Sequence, residues 1–247
     1  MIFVQAIILA AGFGKRLSPL TDNCPKSLVE VNGKPLLINA LDILASCGVE
    51  RTIIVVGYMK EKIIQAVGYS HNGMDISFVE NTAYNKTNNV FSFYLTKDYI
   101  DDDALLIECD LFYKEELIRR IAACQGECNI MVSPYDAQTM DGTVVFADKN
   151  DMAKSLVVKR FQNEDFDFTD ALKTVNIYKF SRDFLKNKFY PAVETYVRTQ
   201  DLDNYYEFVL GSLVYYGDDI HVLRVSADEW AEVDSLSDLK IAEEKFR

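Results

Sequence analysis

A short stretch after the first apolar run of the chain combines a flexible backbone with positive charge. It contains Gly12 and Gly14, the basic pair Lys15 and Arg16, and then Lys26 further along. Glycines let backbone N–H groups approach phosphate oxygens, an arginine clamps phosphate in a fork, and a lysine brings a point charge. A loop of this kind could wrap a triphosphate, although an ordinary strand-to-helix turn can also contain two glycines.

The loop departs from two common nucleotide-binding fingerprints. Leu17 stands where a dinucleotide-binding G-x-G-x-x-G loop has its third glycine, and the second predicted strand ends in Gly57 and Tyr58, without an acidic residue for a ribose. The P-loop pattern G-x-x-x-x-G-K-[ST] is absent from the sequence. The loop therefore indicates a phosphate site of another kind.

Strands and helices alternate over the residues that must position this loop. The hydrophobic pattern predicts strands at 3–10, 51–57, 75–80 and 104–109, and it predicts helices at 34–48, 59–68, 88–100 and 114–126. This alternation is typical of an α/β fold with a doubly wound, parallel sheet. Such sheets bind ligands at the carboxyl ends of their strands, where the loop lies.

The pattern changes after residue 125. Residues 143–180 are β-rich and hairpin-like, and two helical stretches follow at 182–197 and 204–216, the first kinked or divided by Pro191. A strand, a strand end and a helix capped by Ser235 complete the sequence. We predict one domain, 1–247, with a nucleotide-binding core (1–125), an acceptor-binding insertion against the same sheet (126–219) and a returning strand with a C-terminal helix (220–247).

Composition excludes several classes of function. The formal net charge of −12 argues against sequence-independent nucleic-acid binding, so an anionic ligand must meet a local positive region. The five cysteines form no C-x-x-C pair and there are only two histidines, which argues against structural zinc and favours free thiols in a reducing cytosol. The first apolar run is too short to span a membrane. We expect a cytoplasmic protein with no membrane insertion.

Residues 6–37, AIILAAGFGKRLSPLTDNCPKSLVEVNGKPLL, closely resemble the signature G-x-G-x-R-L-x-P-L-T-x-x-x-P-K-x-L. This signature belongs to the nucleotidyltransferases that make NDP-sugars and CDP-alcohols. The resemblance implies a Rossmann-like nucleotidyltransferase fold with a mixed, mostly parallel sheet. It implies that the loop wraps the NTP phosphates, that Arg16 and Lys26 neutralise them as catalytic residues, and that pyrophosphate leaves. The implied phosphate-binding positions are Leu9, Ala10, Ala11, Gly12, Phe13, Gly14, Lys15, Arg16 and Lys26.

Joining an NTP to a phosphate calls for a divalent cation, and Mg²⁺ is held by carboxylates together with substrate phosphates. Asp110 in LLIECDLF and Asp234 in WAEVDSL each follow an apolar run. The family has its metal-binding aspartates in these two contexts, so the resemblance implies an Mg²⁺ site at both residues, with Asp110 also catalytic. Glu108 and Glu232, two residues earlier, are second candidates. Each aspartate taken singly could merely end a strand.

The base-binding residues follow from the next strands and from the resemblance. Gly57, Tyr58, Asn88, Asn89 and Ser92 stand at suitable positions, and asparagine amides can read a base edge, although Asn-Asn is equally suited to capping a helix. VGYMKE and NN-F-S-YL are similar to the CTP-using phosphocholine cytidylyltransferases of bacteria. The implied nucleotide is CTP.

Aromatic and acidic residues are interleaved in the predicted insertion and near the C-terminus. An ammonium head group would suit such a lining through cation–π contacts and carboxylate pairing, although rings of this kind also pack cores and dimer faces. DNYYE resembles the amine-binding stretch of the phosphocholine enzymes, whereas MDGTVV and VVKRF resemble relatives linked to phosphonate metabolism, in which Lys159 would meet the acceptor's phosphonate. The predicted acceptor-binding residues are Tyr135, Asp141, Lys159, Tyr178, Tyr205, Tyr206, Glu207 and Trp230.

Three hypotheses follow. The leading one is a cytidylyltransferase that transfers CMP from CTP to a small phosphate or phosphonate acceptor, phosphocholine or 2-aminoethylphosphonate, and releases pyrophosphate. The second is a sugar-1-phosphate nucleotidyltransferase, whose site would favour hydroxyl-binding polar groups. The third is a catalytically silent nucleotide-binding module, disfavoured because Arg16, Lys26, Asp110 and Asp234 are all present. A homodimer is left open.

Overall fold

A computed structural model describes residues 5–247 of the chain. Its strands are β1 (Gln5–Ala10), β2 (Glu30–Val31), β3 (Lys34–Pro35), β4 (Arg51–Val56), β5 (Ser70–His71), β6 (Met74–Glu80), β7 (Ala104–Glu108), β8 (Leu111–Tyr113), β9 (Cys128–Pro134), β10 (Val144–Ala147), β11 (Ala153–Val157), β12 (Leu172–Phe180), β13 (Ile220–Arg224) and β14 (Trp230–Glu232). Its α-helices are α1 (Leu36–Ser46), α2 (Lys60–Val67), α3 (Asn89–Tyr94), α4 (Glu115–Ala122), α5 (Arg182–Phe184), α6 (Tyr190–Thr199), α7 (Tyr206–Tyr215) and α8 (Leu236–Lys245).

The central sheet of the described residues is mixed and has ten strands. Eight of them follow the order β11, β10, β12, β7, β1, β4, β6 and β5, while β9 pairs with β12 and β13 pairs with β9. β1 pairs in parallel with both β4 and β7, and β4 pairs in parallel with β6. β12 is antiparallel to β7. The prediction of a doubly wound, mostly parallel sheet is confirmed. The predicted insertion contributes β9, β10, β11 and β12 to this sheet.

Both faces of the sheet are buried, which explains the continuous apolar runs of its strands. Alternate residues of β1 point to opposite sides: Ile8 packs with α1, α2 and α4, whereas Ile7 packs with the helices of the second half of the chain. A third apolar cluster lies beneath α8 and includes Leu17 of the glycine-rich loop. The loop is therefore anchored to the C-terminal helix by the residue that replaces the third glycine.

Two long-range elements were missed in the sequence. β9 is almost wholly buried and pairs with β12 and β13, but it lies in the region that the prediction left unassigned after residue 126. β8 pairs with β14 in a separate two-stranded sheet. Asp110 accordingly does not end β7 as predicted, but lies in the turn between β7 and β8, two residues beyond Glu108.

The helices differ from the sequence prediction in length more than in place. The helix predicted over 88–100 forms only at Asn89–Tyr94 and then continues as turns. Pro191 divides its helix as predicted: a π-helical turn, Leu185–Phe189, precedes it, because proline lacks an N–H and its ring crowds the preceding turn. The predicted cap of α8 is confirmed, since the Ser235 hydroxyl accepts from the Asp238 N–H at 3.3 Å.

Across residues 5–247, no helix combines the length and the apolar character that a bilayer crossing requires.

Candidate active site

A cavity of about 560 Å³ opens beside the glycine-rich loop, at the carboxyl ends of β1 and β7. It joins residues from both halves of the chain, as a site at the edge of an open α/β sheet should. The predicted site residues that line it are Leu9, Ala10, Ala11, Gly12, Gly14, Lys15, Arg16, Lys26, Asn88, Asn89, Ser92, Glu108, Asp110, Asp141, Lys159, Tyr205, Glu207, Glu232 and Asp234.

Gly14 determines the shape of the loop. Its φ of 63° is left-handed, and a Cβ at this position would lie 2.7 Å from the Lys26 Cβ. The Leu17 N–H and the Thr21 hydroxyl both donate to the Gly14 carbonyl, at 3.0 and 2.9 Å. A glycine is needed here because only a residue without a side chain lets the loop fold over Lys26.

The charged centre of the cavity is Lys26, which lies between two carboxylates. Its ammonium donates to Asp110 Oδ2 at 2.7 Å and to Asp234 Oδ1, and the Arg16 guanidinium donates to Asp234 Oδ2 at 2.7 Å. Burial alone would lower the pKa of Lys26, but Asp110 and Asp234 outweigh it and raise that pKa. Burial would raise the pKa of Asp234, and Lys26 with Arg16 lowers it instead. Lys26 and Asp234 therefore stay charged at neutral pH.

The β8–β14 ladder brings the two aspartates together although they lie far apart in sequence. Leu111 pairs with Glu232, and the Val233 N–H donates to the Asp110 carbonyl at 2.8 Å. Asp110 directly precedes β8, and Asp234 follows the end of β14 by two residues. The register of one short antiparallel pair sets the separation of the carboxylates.

The donor set fits Mg²⁺. Mg²⁺ is commonly bound by one or two carboxylates, with waters and substrate phosphates completing its shell. Asp110 Oδ1 is a buried oxygen without a hydrogen-bond partner, and it belongs to one of the two facing carboxylates. Over residues 5–247, no group of three or more His, Cys, Asp and Glu side chains is arranged to hold a metal. A cation here would depend on substrate oxygens.

The other side of the cavity is rich in buried carboxyl groups. Glu207, at the start of α7, is 4% exposed, and its Oε2 has no hydrogen-bond partner. Burial raises the pKa of Glu207 to about 7, against weaker opposing effects of hydrogen bonds and of Lys173. Burial, with the charges of Asp110 and Glu207, also raises the pKa of Glu108. Tyr205 lies beside these acids, and Lys159 pairs with Asp141.

Two residues of this side were missed by sequence reasoning. Lys173, 1% exposed, lies 3.4 Å from Glu232 Oε2, and Asn176 donates to Glu232 Oε1 at 3.0 Å. Both line the cavity. A lysine and an asparagine among the apolar residues of KTVNIYKF were the signal that could have identified them, because buried polar side chains need partners.

Several predicted nucleotide-binding residues lie around the cavity without lining it. Phe13, Tyr58 and the cavity residue Tyr84 form an aromatic cluster, with Phe13 5.0 Å from Tyr58 and 5.1 Å from Tyr84 between ring centroids. Gly57 packs against the loop: a Cβ there would lie 2.8 Å from the Ala11 carbonyl oxygen and from Tyr84. Gly57, Tyr58 and Phe13 therefore brace the loop.

The predicted asparagines are also engaged by the chain itself. The Asn88 side chain caps α3 by accepting from the Asn89 N–H at 2.8 Å, the structural alternative considered from the sequence. Asn89 donates to Glu108 at 3.1 Å and accepts from the Tyr206 N–H at 3.0 Å. Ser92 accepts from Asn81 at 3.1 Å. These contacts connect α3 to the acid-rich side of the cavity.

Four predicted acceptor-binding aromatics do not line the cavity. Tyr178 and Tyr206 are fully buried and meet edge to face, 5.5 Å between centroids, because their rings pack the core between the sheet and α7. Tyr135 stacks on Phe168 at 4.8 Å. Trp230 lines a smaller adjoining cavity of about 320 Å³. A direct contact between these four rings and a ligand in the main cavity does not follow from the structure.

Comparison with known proteins gives the family and relatives of the chain. A family model described as the MobA-like NTP transferase domain matches residues 6–193. Over 98% of its length the chain is 34% identical to CMP-5'-(3-aminopropyl)phosphonate synthase of Streptomyces rubellomurinus, but it spans only 39% of that protein. It is 38% identical, over 54% of its length, to a UTP–glucose-1-phosphate uridylyltransferase of Haloferax volcanii, of which it spans 55%.

The fold is also similar to a solved structure. CTP:phosphocholine cytidylyltransferase of Streptococcus pneumoniae superposes with a TM-score of 0.78 at 24% identity, covering 99% of this chain and 100% of that one. This likeness shows a shared fold. The family model extends over well more than half of the sequence and includes the whole glycine-rich loop. The chain therefore belongs to the MobA-like NTP transferase domain family.

Proposed function

We propose that the chain is an Mg²⁺-dependent cytidylyltransferase that transfers CMP from CTP to a small aminated phosphonate or phosphate and releases pyrophosphate. The observation that carries the proposal is the division of one cavity into two halves. One half has the glycine-rich loop with Lys26 and Arg16, and the other has buried carboxyl groups beside Lys159 and Tyr205. Facing charges of these kinds suit a triphosphate on one side and a zwitterionic acceptor on the other.

The nucleotide half supports triphosphate binding through the chain's own groups. Backbone N–H groups of the loop can meet phosphate oxygens, and Arg16 and Lys26 offset their charge. CTP is supported by the resemblance of VGYMKE to the cytidylyltransferases and by the relative named for a CMP-phosphonate. The asparagines of α3 would contribute to the base site by holding its shape, since their amides are already hydrogen-bonded.

Asp110 and Asp234 would hold Mg²⁺, which supplies charge neutralisation for the phosphates of both substrates. Lys26 already lies between these carboxylates. A cation and an ammonium would compete for the same oxygens, so Lys26 must exchange its carboxylate contacts for phosphate contacts when the triphosphate binds. The same lysine would then face the departing pyrophosphate.

The acceptor half supports an aminated substrate. Lys159, 61% exposed at its side chain, would leave Asp141 to meet the phosphonate or phosphate. Glu207 and Glu232 would meet the ammonium group, and the Tyr205 ring would flank it, with a cation–π contact of about 0.5–2 kcal/mol. Because Asp141, Lys159, Tyr205 and Glu207 all fall in 126–219, we assign acceptor recognition to this segment.

The reaction needs no side-chain nucleophile. An oxygen of the acceptor's phosphonate attacks the α-phosphorus in line, the bond to the bridging oxygen of the β-phosphate breaks, and pyrophosphate leaves with the electron pair. Lys26 and Arg16 offset the charge that develops on the leaving group. The loop and Lys159 supply the rest of the rate enhancement by holding the two substrates in a reactive geometry.

Pyrophosphate release with Mg²⁺ and CTP tests the proposed function over five acceptors: 2-aminoethylphosphonate, 3-aminopropylphosphonate, phosphoethanolamine, phosphocholine and glucose-1-phosphate. We expect release with at least one aminated acceptor and far less with UTP, dTTP or GTP. Release with glucose-1-phosphate alone would identify a sugar-1-phosphate nucleotidyltransferase, the alternative that the uridylyltransferase relative favours. No release with any of the five would contradict the proposal.

Replacing Lys26 should strengthen cation binding in the absence of nucleotide. Lys26→Met leaves Asp110 and Asp234 without the ammonium between them, so Mn²⁺ should bind at least about tenfold more tightly than to the wild type in calorimetry. Lys15→Met is the matched control, since Lys15 belongs to the same loop, lies over the Phe13 ring and forms no ion pair within residues 5–247. Equal affinities in the two variants would show that Lys26 does not compete with the cation.

Acceptor binding should strengthen as pH rises through 7. The pKa of Glu207 is raised to about 7, so this carboxyl is protonated below that pH and can pair with an ammonium only above it. Glu108, Glu232 and Lys173 are the titratable groups that face it from β7, β14 and β12. The ionised fraction rises about tenfold between pH 6 and pH 8, and the acceptor KM should fall by a similar factor.

Glu207→Gln should remove the part of the pH dependence of the acceptor KM that comes from Glu207. Any part that comes from the acceptor's own ionisation should remain. Glu164→Gln, an exposed glutamate of the same segment, should retain the wild-type profile. The quantity to compare is the ratio of acceptor KM values between variant and wild type at each pH. A ratio for Glu207→Gln that stays constant from pH 6 to pH 8 would exclude Glu207 from ammonium recognition.

A further inference from the structure

Asn176 has an unusual backbone for the interior of a strand. It lies within β12 with a φ of 60°, in the left-handed region that non-glycine residues rarely adopt. Asparagine tolerates this region better than most residues, but glycine adopts it without a steric cost. Residues held in such conformations tend to cluster at functional sites, and Asn176 lines the cavity.

The position coincides with a change of neighbours in the sheet. Before it, Lys173 pairs with Val144 of β10, and after it, Ile177 pairs with Ile107 of β7. The pairing of β12 with β9 also shifts register between Thr174 and Tyr178. This irregularity bends β12 at the point where its pairing partner changes from β10 to β7. Bulges of this kind re-aim side chains beside active sites.

The side chain of Asn176 is held at both ends. Its Nδ2 donates to Glu232 Oε1 at 3.0 Å, and its Oδ1 accepts from the Thr174 hydroxyl at 2.9 Å. The second oxygen of Glu232 lies 3.4 Å from the Lys173 ammonium. Both Glu232 oxygens are thus fixed from β12, and each retains a lone pair that can face the cavity.

We propose that Asn176 is a positioning residue that fixes the Glu232 carboxylate for recognition of the acceptor's ammonium group. The backbone alone would be served better by glycine, so the amide is the property that accounts for asparagine at this position. The proposal deepens the proposed function and rests on it for the identity of the ligand. The hold of Asn176 on Glu232 can be tested separately.

Asn176→Gly should separate stability from function. The variant relieves the left-handed strain but loses the hydrogen bonds to Glu232 and Thr174, so its Tm should stay close to that of the wild type. The loss of a hydrogen bond to a charged group should raise the acceptor KM about tenfold, with the CTP KM unchanged. Asn72→Gly is the matched control: Asn72 has a φ of 49° in the exposed turn between β5 and β6, so this change should leave both KM values unaltered.

A double-mutant cycle tests whether Asn176 acts through Glu232. Glu232→Gln should raise the acceptor KM, and adding Asn176→Gly should cause no further rise, because the carboxylate to be positioned is already absent. If Asn176→Gly unfolds, Asn176→Asp keeps the side-chain size and faces Glu232 with a like charge, and it should raise the acceptor KM in its place. An unchanged acceptor KM in Asn176→Gly, or equal effects with and without Glu232, would overturn the proposal.

A crystal structure of Asn176→Gly distinguishes a failure of the positioning role of Asn176 from a failure of the proposed function. The proposal predicts that the Glu232 side chain leaves its wild-type position or occupies several positions, whatever the substrate. Wild-type inactivity on every aminated acceptor would count against the proposed function. A Glu232 side chain unmoved in the variant crystal would overturn the positioning role of Asn176 by itself.

Discussion

The ion pair of Lys26 with Asp110 and Asp234 is the interaction on which the rest of the site depends. These three residues come from the glycine-rich loop, the β7–β8 turn and the end of β14, so their contact joins parts of the chain that are distant in sequence. Bringing two carboxylates into a partly buried cavity is costly unless a cation compensates them. Lys26 provides that compensation. A bound cation could replace Lys26 between the two carboxylates only when the Lys26 ammonium pairs with phosphate oxygens instead.

The same requirement explains the construction of the loop. Gly14 must lack a side chain because Lys26 passes directly beneath it, and Leu17 must be apolar because it anchors the loop under α8. A dinucleotide-binding loop would have a glycine at position 17 for close packing of helix on strand. Its replacement by a buried leucine, together with the Lys26 contacts, gives a loop that encloses a charged centre.

The sequence was sufficient for local structure and for the residue types of the site. The hydrophobic period and the helix-capping residues predicted the parallel sheet, most of the helices and the Ser235 cap. The family resemblance implied that Arg16, Lys26, Asp110 and Asp234 belong to one site. Long-range pairing was not accessible in this way. The β8–β14 ladder, the buried strand β9 and the bend at Asn176 depend on partners far away in the chain. The aromatic prediction failed for Tyr178 and Tyr206 because hydrophobic burial decides where most large rings lie.

The most direct test is a crystal structure of the protein with CTP and Mn²⁺, with anomalous diffraction locating the cation. The account predicts an anomalous peak in contact with Asp110 and Asp234, and a Lys26 ammonium that has moved from these carboxylates to a phosphate oxygen. A triphosphate enclosed by the loop while Lys26 still bridges the two aspartates, or a cation bound elsewhere, would contradict it.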